Sequence, residues 1–244
     1  GQKDKVGFDS GTNAISLTGS GLFESISDID AVNDFDDLGN VHPEGTYSFN
    51  DILDLGAVYS LDLRKHILSN SVYASDLIDS RGIVDTYLDF DGTNSLNTNA
   101  EIFVSTSQNG STYGSFQKFA NGTFKGRTFK FKCVLSTTDV TQDINVTELG
   151  YTAEFQRREE IGTQTSSGNT SVNFNHSFFT GTSALLGANS NLPSIGITAF
   201  DMQSGDFFEI TNRTGSGFQI HFKNTSGSSV SRQFNYIAVG FGKG

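Results

Sequence analysis

Carboxylates are the most plentiful reactive groups in this chain, with 27 Asp and Glu against 16 Lys and Arg. Asp28, Asp30, Asp34, Asp36 and Asp37 crowd into one short stretch. Hard cations want clustered carboxylates, but this cluster lacks the Gly and closing Glu of the calcium-loop pattern. It reads as a solvated acidic edge, with a bound cation as the alternative. Polysaccharide hydrolysis needs two carboxylates facing one cleft. The C-terminal acids Asp201, Asp206 and Glu209 do not offer that: Asp206 and Glu209 have opposite parity along an extended segment. Asp201 and Asp206 instead suit the ends of the turn MQSG. The histidines His42, His66, His176 and His221 are scattered without HxH or HExxH spacing. His176 and His221 would meet around an axis only in an oligomer, and half-buried strand histidines are the plainer reading. The lone Cys133 alternates with Phe129 and Phe131 on an apolar face, which suits packing and not nucleophilic attack. No nucleophile elbow and no phosphate-binding glycine loop is present. The expectation is a chain with no catalytic residues, no metal site and no cofactor.

The elements that position these groups show period-two alternation, the mark of strands. From Asp206 to Gly242, Phe207, Glu209 and Thr211 alternate with Phe208, Ile210 and Asn212. Phe218, Ile220 and Phe222 follow a Gly-Ser-Gly turn. Phe234, Tyr236 and Ala238 then share one parity after a second polar turn. This predicts a three-stranded antiparallel meander whose aromatics need covering by a second sheet or another subunit. Upstream, Tyr47 and Phe49, the run AVYSLDLRKHIL, Ile83 to Phe90, Ala100 to Ser107, Thr123 to Leu135 and Asp143 to Phe155 read as strands, the last with a slip between Val146 and Leu149. Only Leu22 to Leu38 shows three- and four-residue apolar spacing, which predicts one or two short helical turns.

With 22 Phe, 7 Tyr and 27 Gly in 244 residues, the composition is that of an all-β protein. A single Cys forbids an intrachain disulfide. No run reaches the about 18 apolar residues of a membrane span, and the N-terminus has no apolar signal region, so the chain is expected to be soluble, without membrane insertion, and cut from something longer. The net charge of −11 is concentrated in residues 1–100. No basic stripe exists to displace the counterions of nucleic acid, which is excluded as a partner.

The block Phe119 to Phe155 carries a resemblance. Its Phe124, Gly126, Arg127, Phe129 and Phe131, followed by Asp139, Thr141, Asn145, Val146, Glu148 and Leu149, resemble the late segment of the large central tail fibre or tip attachment proteins of tailed bacteriophages, the host-specificity family of lambda-like phages. Ile26 to Phe49 is similar to the opening of that module, and Gly196 to Gly242 resembles the terminal domain of such fibres, small trimeric knobs of the H-type lectin sort. The resemblance implies a homotrimer at the distal tail of a virion, joined to other tail proteins and binding a bacterial surface receptor, glycan or outer-membrane protein. A structural connector without receptor binding and a polysaccharide hydrolase are the alternatives.

Combining both readings gives two tandem antiparallel β-sandwiches. Residues 1–21 are expected as a tether or edge segment, 22–160 as an acidic stem, 161–170 as a polar linker and 171–244 as a small trimer-forming knob. The surplus aromatics Phe207, Phe208, Phe218, Phe222, Phe234, Tyr236 and Phe241 are the trimer-interface candidates. Function in such folds sits on loops. The longest polar loop of the knob runs from Thr180 to Leu192, so Asn189, Ser190 and Asn191 are receptor-binding candidates together with Arg213 of the loop Asn212 to Gly217, with Tyr113 of the stem loop Gln108 to Phe116 as another.

Overall fold

The computed structural model describes residues 1–19, 40–73, 97–181 and 191–242. The expected helical turns with the Asp cluster, the strand Ile83 to Phe90, and Asn189 and Ser190 lie outside these. Every regular element among the described residues is a strand, as the composition predicts: β1 (Gln2–Asp4), β2 (Val6–Asp9), β3 (Ala14–Leu17), β4 (Glu44–Ser48), β5 (Leu53–Tyr73), β6 (Thr98–Ser107), β7 (Gln117–Lys118), β8 (Gly122–Thr137), β9 (Gln142–Phe155), β10 (Arg157–Ser166), β11 (Asn169–Asn173), β12 (Ser194–Ala199), β13 (Phe207–Thr211), β14 (Gly217–Lys223) and β15 (Arg232–Phe241). No helix among them is long and apolar enough to cross a membrane.

Strands β1 to β9 form one nine-stranded antiparallel sheet. Its spine is β8, whose Phe129, Phe131, Cys133 and Leu135 point inward while Lys130 and Lys132 point out, the alternation its sequence predicts. Strand β8 pairs with β4 and β5 on one side and β6 on the other, and β9 follows β5. Residues 1–19, expected as a tether or an edge, are integral to this sheet. Strands β1 and β2 are one run broken only at Lys5, with φ 55°. Strand β1 pairs with β4, β2 with β3, and β3 touches β9, so the sheet returns on itself and nearly closes into a barrel. Val6, Ala14 and Leu17 are buried by that closure. The slip read between Val146 and Leu149 is a β-bulge, where the β5 register shifts between Leu68 and Ser69.

Two three-stranded sheets complete the chain, β10-β15-β12 and β11-β14-β13. The expected three-stranded meander is corrected here. Strands β13 and β14 pair as a hairpin, but β15 leaves that sheet and pairs with β10 and β12. The reason is apolar parity: Phe234, Tyr236 and Ala238 of β15 share one buried cluster with Val172, Phe218, Ile220 and Phe222 of the other sheet, so burying both rows requires β15 to sit opposite β14. The expected linker, residues 161–170, is also corrected. Residues 161–166 belong to β10, which pairs with β15 over its whole length, from Arg157 opposite Phe241 to Ser166 opposite Arg232. Its Thr and Gln residues are polar because β10 is an edge strand, not because the segment is unpaired.

Gln156 alone separates β9 from β10. The two parts of the chain meet at an aromatic joint around that residue. Phe155 stacks on Phe179 at 4.0 Å and Tyr59 meets Phe179 edge-on at 5.6 Å. The Arg158 guanidinium lies 3.9 Å from the Phe178 ring centroid, and Gly242 donates its N–H to the Gln156 carbonyl at 3.2 Å.

Candidate binding surfaces

The acids and bases of the C-terminal strands are held apart by the two-sheet arrangement. Asp206 accepts the Gln203 amide at 2.9 Å and the Arg232 guanidinium at 2.8 and 2.5 Å, bridging to the β15 side. Glu209 stands on the outer face of β11-β14-β13 and pairs with Lys223 at 2.6 Å. The Gln203 amide, with Arg232, holds the Asp206 carboxyl below its ordinary range, and Lys223 does the same for Glu209. Both acids are committed to ion pairs on different sheets, a geometry unlike a carboxylate pair across a cleft. His221 contacts Ser229 and His66 contacts Thr152 through hydrogen bonds of 2.7 and 2.6 Å. His176, expected as a half-buried strand histidine, is exposed instead, because the chain leaves β11 after Asn173. Cys133 is fully buried, and burial pushes its thiol up to about 12. No group of three or more His, Cys, Asp or Glu is placed to hold a metal among the described residues.

The interface candidates divide cleanly. Phe218, Phe222, Phe234 and Tyr236 are buried in the chain's own core, so none of them is free to line a contact between subunits. Parity alone hides this division, because β14 and β15 lie in different sheets and so give two inner faces to fill instead of one. Phe207, Phe208 and Phe241 do remain exposed. Phe241 belongs to the larger exposed apolar strip, on the outer face of β10-β15-β12. There Ile161, 74% exposed, pairs across with Ile237, 40% exposed, and Val239 and Phe241 continue the row along β15. Beside it lies a shallow cavity of about 300 Å³ lined by Ile161, Gly162, Thr163, Gly196, Thr198 and Ile237 among others. Gly196 keeps this floor low, since a Cβ there would come within 2.9 Å of the Ile237 side chain. Thr163, hydrogen-bonded to Asn235 at 2.7 Å, and the Arg157 and Glu159 side chains edge the strip with polar groups. The opposite outer face, with Ser171, Gln219, His221, Lys223 and Glu209, is polar apart from Phe207. Sequence reasoning missed Ile161 because it lay in the expected linker; its alternation with Gly162 and Thr163 was the available signal.

Strand register sorts the loops into two ends. The turn at 167–168 and the loops 200–206 and 224–231 gather at the end marked by Ser166 and Arg232. Asn224 orders its loop by accepting the Ser226 and Ser228 amides, both at 3.0 Å. Gly205, with φ 87°, lies against Thr225, where a Cβ would come within 2.1 Å. The other end adjoins the aromatic joint. It carries Arg213, exposed, and the described foot of the long loop, where the Asn191 amide donates to the Thr180 carbonyl at 3.2 Å. Gly215 approaches Phe178 and Thr180, so Arg213 and Asn191 belong to neighbouring loops, at the end facing the large sheet. Tyr113 lies apart from both, on the outer face of the large sheet beneath Lys130.

No family model matches the chain, and no curated protein matches it. A solved structure it is similar to is the wild-type discoidin II from Dictyostelium discoideum, at 10% sequence identity, with 81% of this chain and 76% of that chain covered and a TM-score of 0.25. At that score the likeness carries no argument about fold or function.

Proposed function

We propose that the chain is a non-catalytic attachment protein of the phage tail-tip kind, built from a nearly closed large antiparallel sheet followed by a small β-sandwich. The large sheet is the stem, and the paired three-stranded sheets are the knob. Three chains associate through the outer face of β10-β15-β12, and the knob presents loops to a bacterial surface receptor at the distal end of a virion tail. The supporting observation is the uncovered strip Ile161, Ile237, Val239 and Phe241, edged by polar groups. An apolar strip of this kind on one face, with a polar face opposite, is the anatomy of a surface made to be covered. Threefold symmetry comes from the resemblance to fibre knobs, and the strip supports self-association.

The knob's free end then carries the loops 200–206 and 224–231, with Asn191 and Arg213 nearer the stem. The test is mass by light scattering after size exclusion. The 26.3 kDa chain is expected to run as a trimer. The Ile161→Lys, Ile237→Lys double variant is expected to run as a folded monomer with an unchanged far-ultraviolet spectrum. A monomeric wild-type chain at micromolar concentration overturns the assembly, and failure of the labelled trimer to adsorb to any of a panel of intact bacteria overturns the attachment.

A further inference from the structure

On the outer face of the large sheet, Lys130 and Lys132 are successive outward residues of β8. Lys130 lies 4.0 Å from the Tyr113 ring centroid; Lys132 lies 4.9 Å from that of Phe116 and 5.6 Å from that of Phe103. Among the described residues neither ammonium has a carboxylate within ion-pair distance. Nearby acids are already engaged, Glu101 by Lys118 and Asp54 by Arg127, while Asp51 stands exposed beside Asn50 at the rim. Two unneutralised cations side by side, in a chain of net charge −11, form a local field of the opposite sign. The Tyr113 hydroxyl is out of solvent without a hydrogen-bond partner among the described residues.

These groups adjoin a cleft of about 370 Å³, lined by Gln2, Ser48, Phe49, Asn50, Ile52, Phe116, Lys130 and Phe131. Phe116 is 41% exposed, so its ring is a free apolar surface at the mouth. The loop that places it is fixed before any ligand arrives. Asn109 Oδ1 accepts the Ser111 and Thr112 amides at 2.9 and 2.8 Å, Ser105 donates to the Gly114 carbonyl at 2.6 Å, and the Gly114 amide donates to Thr106 at 3.1 Å. Such preorganisation lowers the entropy cost of binding.

We infer that this cleft binds an acidic sugar, a pyranose ring bearing a carboxylate. The ring's apolar face rests on Phe116, the carboxylate meets Lys130, and the hydroxyls meet the amides of Gln2 and Asn50 and the Ser48 hydroxyl. Lys132, held behind Phe116, adds long-range attraction. An apolar platform with few placed polar groups is the usual make-up of a small-ligand site. The site lies wholly on the first sheet, so it is independent of the assembly proposed for the knob.

The test is calorimetric titration of the full chain with a glucuronic acid oligosaccharide, its neutral glucose counterpart and inorganic phosphate. The acidic oligosaccharide is expected to bind at least about tenfold more tightly than the neutral one. It should weaken as salt rises from roughly 0.05 to 0.5 M. Lys130→Gln and Phe116→Ala are each expected to weaken it by about tenfold, with oligomer mass and melting temperature unchanged. Equal binding of acidic and neutral sugars overturns the inference, as does absence of binding by either. Full displacement of the acidic sugar by millimolar phosphate, or binding unaffected by Phe116→Ala, reduces the cleft to a simple anion site and also overturns it.

Discussion

Asp143 is buried where β9 begins, and its Oδ1 accepts the Leu17 and Ile144 amides at 3.0 and 2.6 Å. Burial outweighs those bonds and holds the carboxyl above its ordinary range. The folded chain therefore binds this proton more tightly than the unfolded chain. The group's full contribution to stability is present below the ordinary Asp value and is lost as pH rises through the raised one. Asp143→Asn keeps an acceptor for both amides and removes the charge. Its melting temperature is expected to exceed that of the parent at pH 7, with the gain shrinking as pH falls toward about 4; a gain independent of pH would show that the charge is not the cause. Asp206 has the opposite sign, because its lowered value contributes stability that is lost on acidification below the ordinary range. Cys133 was readable from sequence as a core residue, since alternation with Phe129 and Phe131 fixes its side. With its thiol pushed up to about 12, native protein at pH 8 is expected to resist a thiol reagent that labels the unfolded chain at once. The committed ion pairs of Asp206 and Glu209 were not readable, because their partners Arg232 and Lys223 are set by sheet assignment and register, which parity alone does not supply.

At the scale of elements, alternation placed the strands well where two faces differ in polarity, as in β8 and β9. It failed in two instructive places. Strand β10 is an edge strand whose outward Thr163 and Thr165 and inward Gln164 are all polar, so its sequence imitates a linker. The turn after β14 imitates a hairpin, yet it carries the chain across to the other sheet. Period-two spacing records which side a residue faces but not which neighbour it pairs with. The close approach at Gly217 was equally hidden. A Cβ there would come within 2.2 Å of the Val172 carbonyl oxygen, a backbone atom that cannot swing away. Gly217→Ala is expected to destabilise the chain by about 1–3 kcal/mol, read as a lower denaturant midpoint, whereas Gly122→Ala, with open space around it, should change it little. Equal effects would mean that β11 and β14 adjust freely.

For the whole molecule, the aromatic joint around Gln156 connects the two parts in place of the polar linker expected at 161–170. Phe179, buried between Phe155 and Tyr59, couples the two parts, and Phe179→Ala is expected to cost about 3–5 kcal/mol. Phe8→Ala, on a ring already half exposed, should stay within about 0.5 kcal/mol. Comparable losses for both would disprove the coupling. All-β architecture was legible because Phe, Tyr, Gly and alternation agree, while near-closure of the large sheet was not, since it depends on β1 and β2 reaching different partners across Lys5. The ladder between β10 and β15 also has a mechanical meaning. Strand β10 enters directly from the large sheet at Gln156, and the loops 200–206 and 224–231 lie toward the far ends of β10 and β15. A pull on those loops against a held large sheet therefore acts along the strands. All ten residue pairs from Arg157–Phe241 to Ser166–Arg232 resist together in shear, and none is opened singly like the teeth of a zip, so this ladder bears tension along the strand axis, the direction in which the proposed attachment would load it.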